Sequence, residues 1–314
     1  MSAPRTDVIA IGNAIVDVMA PCEDGLIDAL GLVRGGMTLI DTERAHALYD
    51  AMGPAREISG GSAANTLAGL AALGARCAFI GQVAEDQLGE VFAHDIRAGG
   101  IEFATPARPG DPPTARCLIF VTSDGQRTMN TFLGASQFLP PEALDEAAIR
   151  DAKILYLEGY LWDPEEPRAA MRRAIAAAKE AGRKVAFTLS DAFVIERHGA
   201  DFRAMIETGE IDILFANHVE LAALTGHDDF DRGLAELAQS LCRRLPKFRI
   251  LAAHDRHERP RRTLVAQQPE RVHRRSADVL ALVGGGNPDK RHHAARIAGL
   301  ADLLRGVKTG PLVL

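Results

Sequence analysis

The sequence predicts an α/β protein built on a parallel β-sheet. Three observations carry this reading. Apolar runs of strand length alternate with helical stretches as far as about residue 245. Twenty-nine glycines and sixteen aromatics suit tight turns and close helix-on-sheet packing through Ala, Leu, Ile and Val. The stretch "IDILFANHVELAALTG" runs a strand straight into a helix, as parallel βαβ units with right-handed crossovers require. With 314 residues, 47% hydrophobic and 25% charged, the chain suffices for one large domain or two smaller ones.

The elements follow in order. "DVIAIGNAIVDVMA" reads as a buried strand breaking at Gly12, then a second extended run that sets Asn13 and Asp17 among apolar residues. Polar groups there either face a cleft or serve a turn and solvent. "GLVRGGMTLID" is extended to Asp41, and "DTERAHALYDAM" has a capping residue and helical spacing through Ala45, Leu48 and Met52. "SGGSAANTLAGLAALG" is a glycine turn opening a helix, with Ala64, Ala68 and Ala71 expected to permit close packing. Strand "CAFIGQVA", helix "DQLGEVFAHDIRAGG" and a hairpin turning at Asp124-Gly125 come next. A hairpin inside a β-α alternation suggests a flap. Strands "AKILYLEGYL" and "KVAFTLSD" then flank the Ala-rich helix "EPRAAMRRAIAAAKEAG". In parallel sheets ligands sit at the carboxyl ends of the strands, so Asn13, Gly60, Gly61, Asp191, Asn217 and Glu220 become candidates.

Cys22, Cys77, Cys117 and Cys242 form no C-x-x-C pair, so neither a metal knuckle nor a disulfide framework is indicated, and reduced, mostly buried thiols are expected. Asp7, Asn13 and Asp17 interrupt the N-terminal apolar stretch, which argues against a signal sequence or membrane span and for a cytoplasmic protein. The net charge of -6 hides an asymmetry. Residues 1–242 hold 20 Lys and Arg against 36 Asp and Glu, whereas residues 243–314 hold 16 against 6.

"GNAIVDVMA", "GLVRGGMTLID", "GGSAANTLAGLAALG", "SDGQRTMNTFLGAS", "YLEGYL" and "ANHVELAALTG" together resemble the PfkB carbohydrate kinases, the ribokinase and adenosine kinase superfamily, over roughly residues 5–245. The flap resembles the adenosine-kinase-like bacterial branch. The resemblance implies a single ribokinase-like domain: a doubly wound, mostly parallel sheet flanked by helices, with a small β lid from residues 14–41 and 103–133. It implies an ATP-dependent, magnesium-dependent kinase acting on a primary hydroxyl of a nucleoside such as adenosine. The alternative is a free sugar such as fructose, ribose or 2-keto-3-deoxygluconate. Substrate contacts would come from Asn13, Asp17, Gly60, Gly61 and Asn65, with Arg127, Asn130 and Phe132 pointing into the cleft or packing the lid. A carboxylate and an amide suit hydroxyls, which both donate and accept. Asn217 and Glu220, three apart on a helix, would hold magnesium-bound waters beside the ATP phosphates, or simply cap that helix. A homodimer through the lid is a further expectation.

No Gly-x-x-x-x-Gly-Lys-Ser/Thr loop occurs. The family places its phosphate loop near the C-terminus, as Asp-Thr-x-Gly-Ala-Gly-Asp, whose backbone N–H groups form an anion hole and whose last Asp takes the proton. Residues 246–314 do not contain it, so the catalytic base is unassigned. "GGGNPD" at 284–289 fits badly, because Pro288 removes an N–H and disfavours helical geometry at Asn287. His254, His257, His273, His292 and His293 match no metal-ligand spacing. The basic tail has no aromatic after Phe248 for stacking, which argues against nucleic acid. Besides a family resemblance whose boundary falls elsewhere, two readings of residues 246–314 stay open. One is a divergent tail on an inactive binding protein. The other is a reading frame displaced near residues 250–262: a codon run CGA-CAC-CAC for Arg291-His292-His293, shifted by one nucleotide, reads Asp-Thr-Thr.

Overall fold

The computed structural model describes residues 4–242, 249–254 and 278–283. Along the chain these form β1 (Thr6–Ile11), β2 (Ile15–Pro21), α1 (Asp24–Ala29), β3 (Met37–Leu39), α2 (Thr42–Ala51), β4 (Arg56–Gly60), α3 (Ser62–Ala72) and β5 (Cys77–Ile80). Then come α4 (Gln87–Ala98), β6 (Ile101–Phe103), β7 (Ala115–Val121), β8 (Arg127–Phe132), α5 (Glu146–Arg150), β9 (Ala152–Glu158) and α6 (Glu165–Glu180). The described part closes with β10 (Lys184–Thr188), α7 (Ala192–Thr208), β11 (Ile213–Asn217), α8 (His218–Thr225), α9 (Phe230–Cys242), β12 (Arg249–His254) and β13 (Asp278–Val283).

Eight strands make a central sheet in the order β13-β12-β11-β10-β9-β1-β5-β6, every neighbouring pair parallel. The strands read as continuous apolar runs because helices cover both faces. Ile9, Ile11, Leu155, Leu157, Val185 and Phe187 point into one core, closed by Trp162 and Phe202. Their alternate neighbours Val8, Ala10, Ile154, Tyr156 and Ala186 point into the other, with Leu67 and Phe92. The strand order reverses between β1 and β9, and in open α/β sheets the ligand crevice lies at such a switch point, beyond the carboxyl ends of the strands.

A second, five-stranded sheet, β3-β8-β7-β2-β4, forms the lid. One of its faces is buried: Val16, Val18, Leu118 and Phe120 pack with Ile27 of α1 and Leu48 of α2. Two boundaries differ from the sequence reading. β4 joins this sheet antiparallel to β2, although residues 56–60 lie outside both expected lid segments. β6, with Phe103 at its end, belongs to the central sheet. On α3 the packed face is Ala63, Ala64, Thr66, Leu67 and Leu70; Ala68, expected to pack, is exposed.

Candidate functional site

The crevice is built where four chain crossings join the two sheets: residues 12–14, 61, 104–114 and 133–136. At the first two, glycine is obligatory. Gly61 has φ +94° and caps α3, and a Cβ there would stand 2.4 Å from the Asn13 carbonyl oxygen. A Cβ on Gly60 would stand 2.4 Å from Cγ of Asp17, so Gly60 makes room for that carboxylate. Gly60 and Gly61 thus shape the backbone beside the candidate carboxyl.

Asp17 sits in the middle of β2, mostly buried, and among the described residues no protein group donates a hydrogen bond to its carboxylate. Burial pushes its pKa up to about 6, and the positive charge of Arg127 offsets part of that rise. The ladder explains who surrounds it. Asp17 is level with Cys117, which is level with Thr131, and one step along the same face Met19, Ile119 and Met129 form a second row. The Cys117 thiol, hydrogen-bonded by Thr131 Oγ1 at 3.3 Å, is pushed up to about 12 by burial and by the charge of Asp17, and so stays neutral. Among the described residues of this sheet face Asp17 is the one carboxylate, set beside Cys117, Thr131 and a row of apolar side chains.

The same ladder separates the two alternatives for the residues of β8, and two of those expected as substrate contacts fall on the packing side. Arg127 shares the Asp17 face and is exposed, but Asn130 and Phe132 lie at the alternate positions of β8 and face the other side, toward α2. Asn130 is buried, its Nδ2 donating to the Leu118 carbonyl at 3.5 Å. Phe132 is buried beneath the Arg116 guanidinium, 5.9 Å from its ring centre, with the Tyr49 ring at the same distance from that guanidinium. These two residues pack the lid.

Asn13 is 2% exposed, with both amide atoms held by the protein: its Nδ2 donates to Glu158 Oε1 at 2.8 Å, and its Oδ1 accepts from Ser136 Oγ at 2.8 Å. Glu158, the last residue of β9, was not singled out from the sequence. The signal for it was weak, a carboxylate at the end of a mostly apolar strand that also carries Lys153. Asn65 is exposed on the first turns of α3, its N–H bonded to the Gly61 carbonyl at 2.9 Å. Asp191 caps α7, accepting from Phe193 N at 3.2 Å.

At the carboxyl end of β11, Asn217 and Glu220 form a complete capping box. Asn217 Oδ1 accepts from Glu220 N at 2.7 Å, while Glu220 Oε2 and Oε1 accept from Asn217 N at 3.0 Å and Nδ2 at 2.7 Å. Glu220 is 2% exposed, so it does not fit as a direct magnesium ligand; contact through the ion's waters is what the donor set leaves open. Among the described residues no three His, Cys, Asp or Glu cluster to hold a metal, and no helix is long and apolar enough to cross a membrane. "GGGNPD", the histidines from His257 onward and the expected phosphate-loop region fall outside the described residues.

A family model described as pfkB family carbohydrate kinase matches residues 37–250. The chain belongs to this family. Among curated proteins it is similar to the probable fructokinase-2 of Arabidopsis thaliana, 30% identical over 65% of this chain and 64% of that protein. It is also similar to the guanosine-inosine kinase of Escherichia coli K12, 28% identical over 82% of this chain and 62% of that one. The matches thus span just under two thirds of these curated relatives. Among solved structures, an adenosine kinase from Sinorhizobium meliloti is 40% identical over 98% of this chain and 89% of its own, with a TM-score of 0.75. A probable sugar kinase from Rhizobium etli is 46% identical over 76% and 72%, with a TM-score of 0.70.

Proposed function

We propose that this pfkB-family chain is a kinase that transfers a phosphoryl group from ATP to a primary hydroxyl of a nucleoside. The observation that carries the reading is Asp17: a mostly buried carboxylate with no hydrogen-bond donor among the described residues, set among Met19, Ile119, Met129 and Ile58. A ribosyl hydroxyl pair supplies the donors the carboxylate lacks, and an apolar face of this width suits a planar base better than water. The likeness to an adenosine kinase over 98% of the chain supports the same choice. The second reading, a free sugar as acceptor, is favoured by the 30% identity to a fructokinase.

In this reading Asp17 accepts from the substrate hydroxyls, and Gly60 and Gly61 let the backbone approach, with Asn65 at the rim. Arg127, exposed on the Asp17 face of β8, would contact the substrate from the lid. Magnesium, when bound, neutralises charge on the phosphate oxygens; Asn217 and Glu220 would meet it only through water. The proton-accepting aspartate belongs to the segment that the sequence does not show, and we hold the displaced reading frame responsible. Translating the other two frames of the DNA for residues 245–314 decides this: Gly-Ala-Gly-Asp in one of them is expected, and its absence from both sinks the idea.

A panel of adenosine, guanosine, inosine, fructose and ribose, assayed for binding by calorimetry and for ATP-dependent phosphorylation, tests the function. Saturable binding of a nucleoside in preference to the sugars is expected. Preference for fructose or ribose would transfer the assignment to the second reading, and no binding at all would remove it. A cytoplasmic location and a homodimer through the lid belong to the same proposal; sedimentation of the intact chain reads the latter.

A further inference from the structure

We propose that Glu158 is a positioning residue: it ties together three of the four chain crossings between the central sheet and the lid, and through Asn13 it fixes what the crevice floor offers a substrate. This rests on reading the crevice as a kinase substrate site. Glu158 ends β9, and β1 beside it ends one residue before Gly12, so the two strand ends flank the switch point. The carboxylate is 1% exposed. Its Oε1 accepts from Asn13 in the first crossing, and its Oε2 accepts from Ala63 N at 2.9 Å, just past the second. Asn13 Oδ1 in turn accepts from Ser136 in the crossing that follows β8. One core carboxylate thus holds the chain entering the lid at β2, leaving it at β4 and leaving it again at β8.

Two glycines are consistent with a built device. A Cβ on Gly12 would stand 2.7 Å from Glu158 Oε2 and 2.5 Å from the Ala63 Cβ, closing the path along which the carboxylate reaches α3. Gly61, at φ +94°, lies against the Asn13 carbonyl, so the first two crossings touch directly. The chemistry makes the carboxylate specific. Glutamate offers two acceptors to two donors, whereas glutamine of the same size offers one acceptor and one donor. With glutamine, either the Ala63 N–H loses its acceptor or the Asn13 amide must reverse. Each outcome changes the floor beside Asp17 without opening a cavity.

The test uses Glu158→Gln in the full chain, with Glu158→Ala beside it. It reads amide exchange in residues 12–16, 60–65 and 133–137, thermal melting, and adenosine affinity by calorimetry. Glu158→Gln is expected to stay folded, to exchange roughly tenfold faster in all three segments together, and to bind adenosine roughly tenfold more weakly. Folded Glu158→Gln with wild-type exchange in these segments overturns the proposal. Faster exchange with unchanged affinity reduces Glu158 to a structural tie and overturns the positioning claim. If the wild-type chain binds no nucleoside or sugar, the kinase reading fails, while the exchange data still decide whether the three crossings are coupled.

Discussion

The floor of the crevice and the lid above it hold carboxylates of opposite character. Glu158, at the end of the central sheet, is buried with both oxygens accepting from protein donors. Asp17, on the lid, is desolvated with no donor among the described residues, and its pKa rises to about 6. A buried acceptor that the fold itself satisfies serves architecture. A partly desolvated acceptor without a protein donor among the described residues is costly when ionised, and a ligand that brings the donors would offset that cost. Glu220, closed into its capping box, falls with Glu158 in this comparison.

The largest effect on stability is expected for Glu158→Ala, which leaves Asn13 Nδ2 and Ala63 N without their acceptor and should cost about 2–4 kcal/mol in a denaturant titration. A cost below about 0.5 kcal/mol would erase the distinction between the two carboxylates.

Asp17→Asn should move stability the other way. Because the folded pKa of Asp17 lies above its unfolded value of 3.8, the native state binds more protons, and ionising Asp17 destabilises it. That penalty is absent below about pH 4, grows as pH rises toward 6, and is complete above it. The asparagine variant should therefore be more stable at pH 7 by up to about 3 kcal/mol and equal to wild type at pH 3.5 or so, as melting curves at the two pH values would show. By the same sign, affinity for a hydroxylated ligand should fall as pH drops through about 6, where Asp17 takes up its proton.

Gly60→Ala sharpens the comparison from the backbone side. Its Cβ would stand 2.4 Å from Cγ of Asp17 and must turn the carboxyl aside. Substrate affinity should fall roughly tenfold, about 1.4 kcal/mol, with little change in melting temperature. Smallest in stability is Glu220→Gln, which weakens one arm of the capping box by about 1 kcal/mol. In a chain whose C-terminal segment is restored to the frame that carries the Gly-Ala-Gly-Asp loop, turnover at limiting magnesium should drop roughly tenfold beyond what the melting curve accounts for, if the ion's waters also meet this pair.

Much of this was legible in the sequence, for identifiable reasons. The central strands showed as continuous apolar runs because both faces are covered, and Asp17 showed as a charge inside such a run. β4 did not show, since Arg56-Glu57-Ile58-Ser59-Gly60 is mostly polar and becomes a strand only through pairing with β2. Arg127 and Asn130 were given one pair of alternatives, the cleft or the lid packing, yet residues three apart on a strand face opposite sides, so period-two alternation alone separates them. Glu158 was masked by its place at the end of "AKILYLE", where a terminal charge reads as the edge of a strand. Its partners Asn13, Ala63 and Ser136 are distant in sequence and meet only at the lid crossings.

The most direct measurement is one variant read two ways: Asp17→Asn titrated calorimetrically with adenosine and melted beside the wild type at pH 7. Binding weakened roughly a hundredfold together with a raised melting temperature is expected, because the group that the ligand needs is the one whose ionisation burial makes costly in the empty fold. Wild-type affinity in the variant, or a lowered melting temperature, would contradict the assignment of Asp17 as the substrate's carboxylate.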